Sequence, residues 1–501
     1  MTTQPVDHVS SIDWIEKAQQ IALPEGIFID GGFRLCAETR EIITPRDGSV
    51  LGTLAWAGVD DTDRAVAAAR RAFDDGPWPT MAGSERGLVL NRWADLIDEH
   101  RDEIALLVSL EMGKPIRHAW EIELRALING LRFYAGLADK AMGEIPRTPP
   151  GDLAIVTREP SGVVAAVVPW NFPLTIGGWK VGPALAAGCT MVLKTAEQSP
   201  LSMQRVAALG AEAGMPEGVF NVLSGDGTVV GRRLGEHPDV NVLTFTGSTE
   251  VGRHFMRYAA DSNLKKVHLE LGGKSPHIIF PEATDLQAAA DSAAWAIFFN
   301  AGEMCTAGSR LVVHEDIAEE VIARVIETSA AWQPADPLLP DTLMGPLVDK
   351  TSLTRIQKQL AQGLEQGATV RSGGSAVHTD SGGPYLAPTV ITDAARDNLL
   401  VQEELFGPVL AVQTFSTEAE AIEIARDTPY GLAAGLWTSD LGRAHRVSNA
   451  MHAGIVWVNC YEEGDMSVPF GGVKLTGGGR DKSHHAMDEY TDLKTTWVKY
   501  G

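Results

Sequence analysis

A lone cysteine lies between two glycines in Gly302-Glu303-Met304-Cys305-Thr306-Ala307-Gly308, after an apolar and aromatic run at residues 293–299. Such a thiol is either a packed, inert core group or a reactive nucleophile, and the stretch alone allows both. Two other residues could serve the same chemistry. Glu270 ends a β-rich run just before Gly272-Gly273-Lys274. A carboxylate there either caps the next segment or acts as a general base, if its surroundings raise its pKa. Asn171 is bracketed by prolines in Val168-Pro169-Trp170-Asn171-Phe172-Pro173, so its amide either forms a turn or is presented to a developing oxyanion. Finally, Phe245-Thr246-Gly247-Ser248-Thr249-Glu250 follows a strand and opens a helix. That is a context for pyrophosphate at a helix N-terminus, and equally for an ordinary turn, since the GxGxxG spacing is missing.

The surrounding pattern says what must position these residues. Apolar runs at residues 163–168, 190–193, 219–223, 242–245 and 266–271 alternate with helical stretches that stop at Gly188 and at Gly214-Met215-Pro216. Strands apolar on both faces and spaced by helices predict a parallel sheet covered on both sides. A second α/β series follows, with strands at 276–280, 311–314, 410–415, 433–438 and 455–459, helices at 286–300 and 317–332, and a terminal strand at 494–499. Upstream, residues before about 25 read as a surface arm and 27–56 as short strands. One helix capped by Asp60 or Asp61 ends near Gly76-Pro77, a second runs from Ser84 to Gly113, and a third covers 117–140. The polar stretch through Arg147 and Gly151 looks like an excursion from the main body. No repeat or low-complexity tract is present.

Composition bounds the rest. A chain of 501 residues exceeds one hydrophobic core, so two or three domains are expected. A net charge of −23 argues against nucleic acid or an anionic membrane as partner. The four cysteines, Cys36, Cys189, Cys305 and Cys460, have no paired spacing, which fits neither a disulfide framework nor a metal site and points to a reducing cytoplasm. The N-terminus has no basic start or apolar core of a signal peptide, and the longest apolar run is far short of a membrane span.

Taken together, the motifs Pro169-Trp170-Asn171-Phe172-Pro173, Lys194, Glu197, Gly247-Ser248-Thr249, Leu269-Glu270-Leu271-Gly272-Gly273-Lys274, Cys305, Glu404-Leu405-Phe406-Gly407-Pro408 and Pro469-Phe470-Gly471-Gly472 resemble, in order and spacing, the NAD(P)-dependent aldehyde dehydrogenase superfamily. The resemblance covers nearly the whole chain. It implies an α/β fold with three parts: a Rossmann-like NAD-binding domain (1–140 and 161–272), a catalytic domain (273–484) and a small β oligomerisation arm (141–160 and 485–501). A homodimer or homotetramer would follow, because a strand-bearing arm cannot satisfy its own edge. It further implies that Cys305 attacks the aldehyde, Asn171 holds the oxyanion and Glu270 activates water, giving the free acid rather than a coenzyme A ester. Pro169, Trp170, Lys194, Glu197, Gly247, Ser248, Gly272, Glu404 and Phe406 are the implied cofactor contacts. Glu197 on the ribose favours NAD over NADP. Glu303 stands where the family often has Gln, and is expected to point away from the sulfur.

Within the superfamily, residues 459–470, Gly479-Arg480-Asp481-Lys482-Ser483 and Gly113-Lys114-Pro115 are similar to the branch that oxidises γ-glutamyl-aminobutyraldehyde and related amino- or guanidino-aldehydes. The implied substrate channel is Phe172, Trp179, Met304, Thr306 and Phe470, with Glu123, Glu462, Glu463 and Asp465 facing an incoming cation. Any of those carboxylates is otherwise a solvated surface charge. Glu123 and Thr175-Ile176-Gly177-Gly178 depart from the branch, and the glycines are expected to widen the channel for an aromatic or medium-chain aliphatic aldehyde. The alternative of another class is an inactive binding paralogue.

Overall fold

The protein, seen in a computed structural model that describes residues 5–501, is organised by two seven-stranded sheets. In the first, five parallel strands lie in the spatial order Lys266–Leu271, Val242–Gly247, Val163–Val167, Thr190–Lys194, Phe220–Leu223. Ile27–Ile29 and Gly32–Arg34 extend it antiparallel. The three strands from Val163, Thr190 and Phe220 are buried at every residue, so both faces need apolar covers. One cover includes Leu131, Tyr134 and Leu185, the other Val66, Leu234 and Phe255.

The strand order reverses at Val163–Val167, which has the next strand in the chain on one side and the fourth on the other. Open α/β sheets take ligands in the crevice beyond the carboxyl ends of strands at such a reversal. There the chain presents Pro169 to Pro173 from one strand and Ser248 from the other.

The second sheet runs Thr369–Ser372, Thr389–Thr392, Val409–Phe415, Arg310–His314, Pro276–Ile279, Ala433–Trp437, Ile455–Val458, parallel throughout except for its first pair. A separate ribbon pairs Asp152–Pro160 with Thr491–Lys499, and Glu144 bridges to Val156 on its other side. Among the described residues no helix is long and apolar enough to cross a membrane.

Several expectations about the N-terminal third need correction. Of the stretch expected to be a surface arm, residues 1–4 lie outside the described residues, and from Pro5 on it is docked: helices Pro5–Ser10 and Trp14–Gln20 pack through Val9 and Trp14, both in the main core. The helix expected from Ser84 to Gly113 is two, Gly83–Glu99 and Arg101–Met112, broken at His100. Both halves face the same core, so the apolar spacing carries no mark of the break. Neither Asp60 nor Asp61 is the N-cap of Val59–Asp74. That residue is Gly58, whose N–H donates to Asp61 at 2.9 Å. Thr369–Ser372 and Thr389–Thr392 were not legible as strands, the first because only one face is even half-buried.

Candidate active site

Local rules explain how each functional residue is held. Helix Pro173–Ala187 begins with proline at its first position and ends at Gly188 in the left-handed region, φ 98°. That start fixes the turn carrying Asn171. Ser248 is the N-cap of Thr249–Ala260, its hydroxyl accepting the Val251 N–H at 3.3 Å. Helix Leu286–Phe298 stops short of the cysteine, and the chain then turns through Asn300 (φ 51°), Ala301 (φ 56°) and Gly302 (φ 71°). A left-handed alanine costs roughly 1–2 kcal/mol, and a Cβ on Gly302 would strike the Gly407 backbone. Strain of this kind is retained where the surroundings over-determine it.

A cavity of about 350 Å³ opens at the sheet crevice. Pro169, Trp170 and Asn171 form one wall, Gly247, Ser248 and Gly272 a second, and Glu404 and Phe406 a third, with Cys305 also lining it. Phe406, itself at φ 54°, meets Trp170 edge-on with ring centroids 5.4 Å apart. Gly272 has no room for a side chain, since a Cβ would collide with the Glu404 carboxylate. Glu404 accepts the Gly273 N–H at 3.0 Å, and burial pushes its pKa up to about 7. Lys194 and Glu197 are not among these walls. They lie at the carboxyl end of the neighbouring strand, 3.4 Å apart, and Glu197 Oε1 accepts the Gly227 N–H at 2.6 Å.

Asn171 is buried, and its Nδ2 donates to the Glu303 carbonyl at 2.8 Å. One N–H of that nitrogen is thereby fixed and the other remains available. Cys305, partly exposed, has its thiol pKa pushed well above the ordinary value by burial, then by Glu270, Glu462 and Glu404, against the Thr306 N–H. The resting group is a thiol that must lose its proton to react. Glu270 is buried with neither carboxylate oxygen partnered among the described residues. Burial raises its pKa well above the usual range, Asp481 adds to this, and Lys180 and Arg480 oppose it. Glu303 faces away from the sulfur, as expected: its Oε1 accepts the Val348 N–H at 3.0 Å.

The four carboxylates assigned to the channel separate cleanly. Glu123 requires correction: it is fully buried, ion-paired with Lys114 at 2.5 Å, and accepts both the N–H and the hydroxyl of Thr175 at 2.8 Å. Glu463 is exposed. Asp465 is also exposed, and accepts the Ser467 N–H at 2.7 Å. Glu462 differs from all three, because its Oε1 is buried without a partner, beside the Thr306 hydroxyl and Lys482.

The remaining channel residues divide too. Trp179 and Phe470 lie 4.9 Å apart, centroid to centroid, in the apolar cluster that includes Cys305. Phe172 has the Lys114 ammonium 3.7 Å from its ring centre. Met304 packs into the core beneath the loop, and Thr306 is buried with its carbonyl accepting the Tyr461 hydroxyl at 2.6 Å. Gly177 and Gly178 do not widen the channel: a side chain on them would meet Met203 and Leu127, so they serve helix packing.

Sequence reasoning did not find Ser352 and Arg355, which also line the cavity, as does Thr246 of the turn before Ser248. Arg355 sits on the ordinary amphipathic helix Lys350–Glu365, which offers no signal. Nor did it find the buried pair Lys180–Asp481, 3.0 Å apart. Asp481 lies in the stretch Gly479-Arg480-Asp481-Lys482-Ser483, whose residues carry no sign of that pairing.

A match to the aldehyde dehydrogenase family covers residues 34–496. This chain belongs to the aldehyde dehydrogenase family. It is 44% identical to the NADP/NAD-dependent aldehyde dehydrogenase PuuC of Escherichia coli, over 97% of this chain and 98% of that protein. Among solved structures it is similar to a γ-glutamyl-γ-aminobutyraldehyde dehydrogenase from Burkholderia cenocepacia, with a TM-score of 0.96 and 48% identity over 98% and 99% of the two chains. It is equally similar to an indole-3-acetaldehyde dehydrogenase complexed with NAD+, at TM-score 0.96 and 48% identity over 97% and 99%. The fold of this aldehyde dehydrogenase is therefore the family's.

Proposed function

We propose that Cys305, Asn171 and Glu270 convert an aldehyde to the free carboxylic acid with NAD as the oxidant. The observation that carries this is the meeting on one cavity of a thiol and an amide with a spare N–H, with the buried Glu270 carboxyl behind the lining, close enough to raise the Cys305 pKa and with neither oxygen partnered among the described residues. The Cys305 proton passes to the Glu270 carboxylate while the sulfur bonds the carbonyl carbon. The oxygen, now an alkoxide, takes the free N–H of Asn171, a contact worth roughly 3–4 kcal/mol in comparable sites. NAD, when bound, would supply the hydride acceptor; the adduct's carbon gives up its hydrogen as hydride, the C=O bond re-forms, and the acyl group stays on Cys305 as a thioester. Glu270 gives up the thiol's proton to solvent, and its carboxylate then takes a proton from water as the water oxygen bonds the thioester carbon; the C–S bond breaks, releasing the acid and the Cys305 thiolate.

The cavity suits the cofactor. Ser248 offers a helix N-terminus to a pyrophosphate, Gly247 and Gly272 keep side chains out of the way, and Trp170, Phe406 and Glu404 provide surfaces for a nicotinamide. Glu197 and Lys194, at the end of the adjacent strand, are the ribose contacts. A carboxylate there repels a 2′-phosphate, so NAD is preferred over NADP.

For substrate we infer an ω-amino, γ-glutamylamino or guanidino aldehyde, because Glu462 brings an unpartnered carboxylate oxygen to the region of Cys305. The second reading, an aromatic or medium-chain aldehyde, is favoured by the aromatic pair Trp179 and Phe470 in the same cluster. Initial rates of NADH formation over a panel of amino, neutral aliphatic and aromatic aldehydes decide between them. Equal kcat/KM for cationic and neutral aldehydes of one length defeats the first reading. NADP used as well as NAD defeats the cofactor assignment, and no turnover of any aldehyde revives an inactive paralogue.

The division of labour proposed is a cofactor domain at 1–140 and 161–272, a catalytic domain at 273–484 and an arm at 141–160 and 485–501, in a cytoplasmic homodimer or homotetramer. Supporting the arm as an interface, residues 141–160 and 485–501 expose Met142, Ile145, Leu493, Trp497 and Tyr500.

A further inference from the structure

Lys114 and Glu123 form a fully buried ion pair that has no place in the chemistry above, yet both ends of the turn carrying Asn171 are tied to it. Lys114 Nζ donates to Glu123 Oε1 at 2.5 Å and to the Asn171 carbonyl at 2.9 Å, and the ammonium also sits 3.7 Å from the Phe172 ring centre. Glu123 Oε2 accepts the N–H and the hydroxyl of Thr175, each at 2.8 Å. Thr175 is in the first turn of Pro173–Ala187, where backbone N–H groups lack helical partners. One charge pair thus bridges the carbonyl of residue 171 and the N–H of residue 175, neutral as a unit and shielded from water. Asn300 Nδ2 adds weaker support to the same Asn171 carbonyl at 3.3 Å. Glu123 reaches this position from a single π-helical turn, Ala119–Glu123, which interrupts an otherwise α-helical stretch. Such bulges re-aim side chains at functional sites.

We propose that the Lys114–Glu123 pair is a positioning clamp: it fixes the backbone of Asn171, and through it the spare amide N–H that receives the oxyanion. This rests on Asn171 being the oxyanion donor. Neither clamp residue touches substrate. An error of about 1 Å in placing a reacting group costs up to about 100-fold in rate, so loosening the clamp lowers kcat rather than raising KM.

The test is a double-mutant cycle of Glu123→Gln and Asn171→Ala, reading kcat, aldehyde KM, NAD affinity and melting temperature. Glu123→Gln keeps the shape but leaves Lys114 without its counter-charge. The expected result is a fall in kcat of about 10–100-fold with aldehyde KM and NAD affinity held, and no further fall when the change is made in Asn171→Ala. Thr175→Val, which removes one donor to Glu123 and leaves both charges, should show the same coupling at smaller amplitude. It carries the test if Glu123→Gln does not fold. Losses that multiply independently in the double variant, with Asn171→Ala itself impaired, overturn the clamp and leave the oxyanion assignment standing. An Asn171→Ala variant of undiminished kcat removes the oxyanion assignment, and the clamp with it. A raised KM for cationic aldehydes alone, at unchanged kcat, shows instead that Glu123 reaches the substrate.

Discussion

Behind Asn171 and in front of it the protein handles buried charge in opposite ways. Behind, the Glu123 carboxylate is saturated by Lys114 and Thr175, and Glu303 is braced on the Val348 N–H. In front, Glu270 keeps two oxygens and Glu462 one with no partner among the described residues. A buried polar group left unpaired costs about 1–3 kcal/mol, and a fold keeps that cost where a ligand or transition state will repay it. The difference teaches which carboxylates are structure and which await chemistry. Residue type could not do so, because Glu123 and Glu462 were equal candidates in the sequence.

The sharpest way to break the comparison is to remove the group that the unpaired side serves. Cys305→Ala should abolish NADH formation, by at least about 10⁴-fold if the thiol behaves like other covalent nucleophiles. NAD binding, followed by quenching of protein fluorescence, should persist. Residual turnover above about one part in a hundred would mean that the cavity works without a covalent intermediate.

Glu270→Gln should cost less, about 10²–10⁴-fold in steady-state rate, and should expose a stoichiometric burst of NADH where acid release is the slowed step. The pH dependence follows from the sign of the shift. Burial raises the Glu270 pKa well above its ordinary value, so the base form accumulates only as pH climbs through that raised value. The wild type should gain kcat on that limb, and Glu270→Gln should lose the limb. Stability runs the other way: the folded state holds a proton that the unfolded state has released, so stability falls as pH rises from the ordinary carboxylate value through the raised one. Glu270→Gln should therefore melt higher than wild type by a margin that grows with pH. A margin that shrinks would place the Glu270 pKa below its unfolded value.

How much of this was legible in the sequence depended on whether a residue's role is carried by its own stretch of chain. The alternation of apolar strands from residue 163 onward gave the first parallel sheet, because strands buried on both faces have no polar side to blur the pattern. The proline bracket of Asn171 and the glycines around Cys305 and Gly272 marked backbone requirements that are local by nature. Partnership across the fold left no such mark. That Glu123 would meet Lys114, nine positions away but across a π-turn, or that Gly177 and Gly178 would face Met203 and Leu127, is settled only by which helices touch. The break at His100 was invisible for a related reason, since the core it faces is continuous across it.

The smallest expected effect is the one that decides substrate, and it contrasts Glu462 with its neighbour. Glu462 sits at φ 59°, a left-handed conformation that costs a non-glycine residue free energy, and that turn goes with an Oε1 buried beside Thr306. Glu463, one residue on, is exposed, and its carbonyl accepts the Trp457 indole N–H at 2.8 Å. If the strained turn exists to seat a cation, Glu462→Gln should lower kcat/KM for an ω-amino aldehyde by about 10–100-fold, the loss of one desolvated charge pair. A neutral aldehyde of the same length should keep its rate, or improve as the burial cost of the charge disappears. Glu463→Gln should alter either by less than twofold, as exposed charges do. Should Glu462→Gln slow both aldehydes alike, the carboxylate acts on Cys305, whose thiol it already perturbs, and the choice of substrate falls to Trp179 and Phe470.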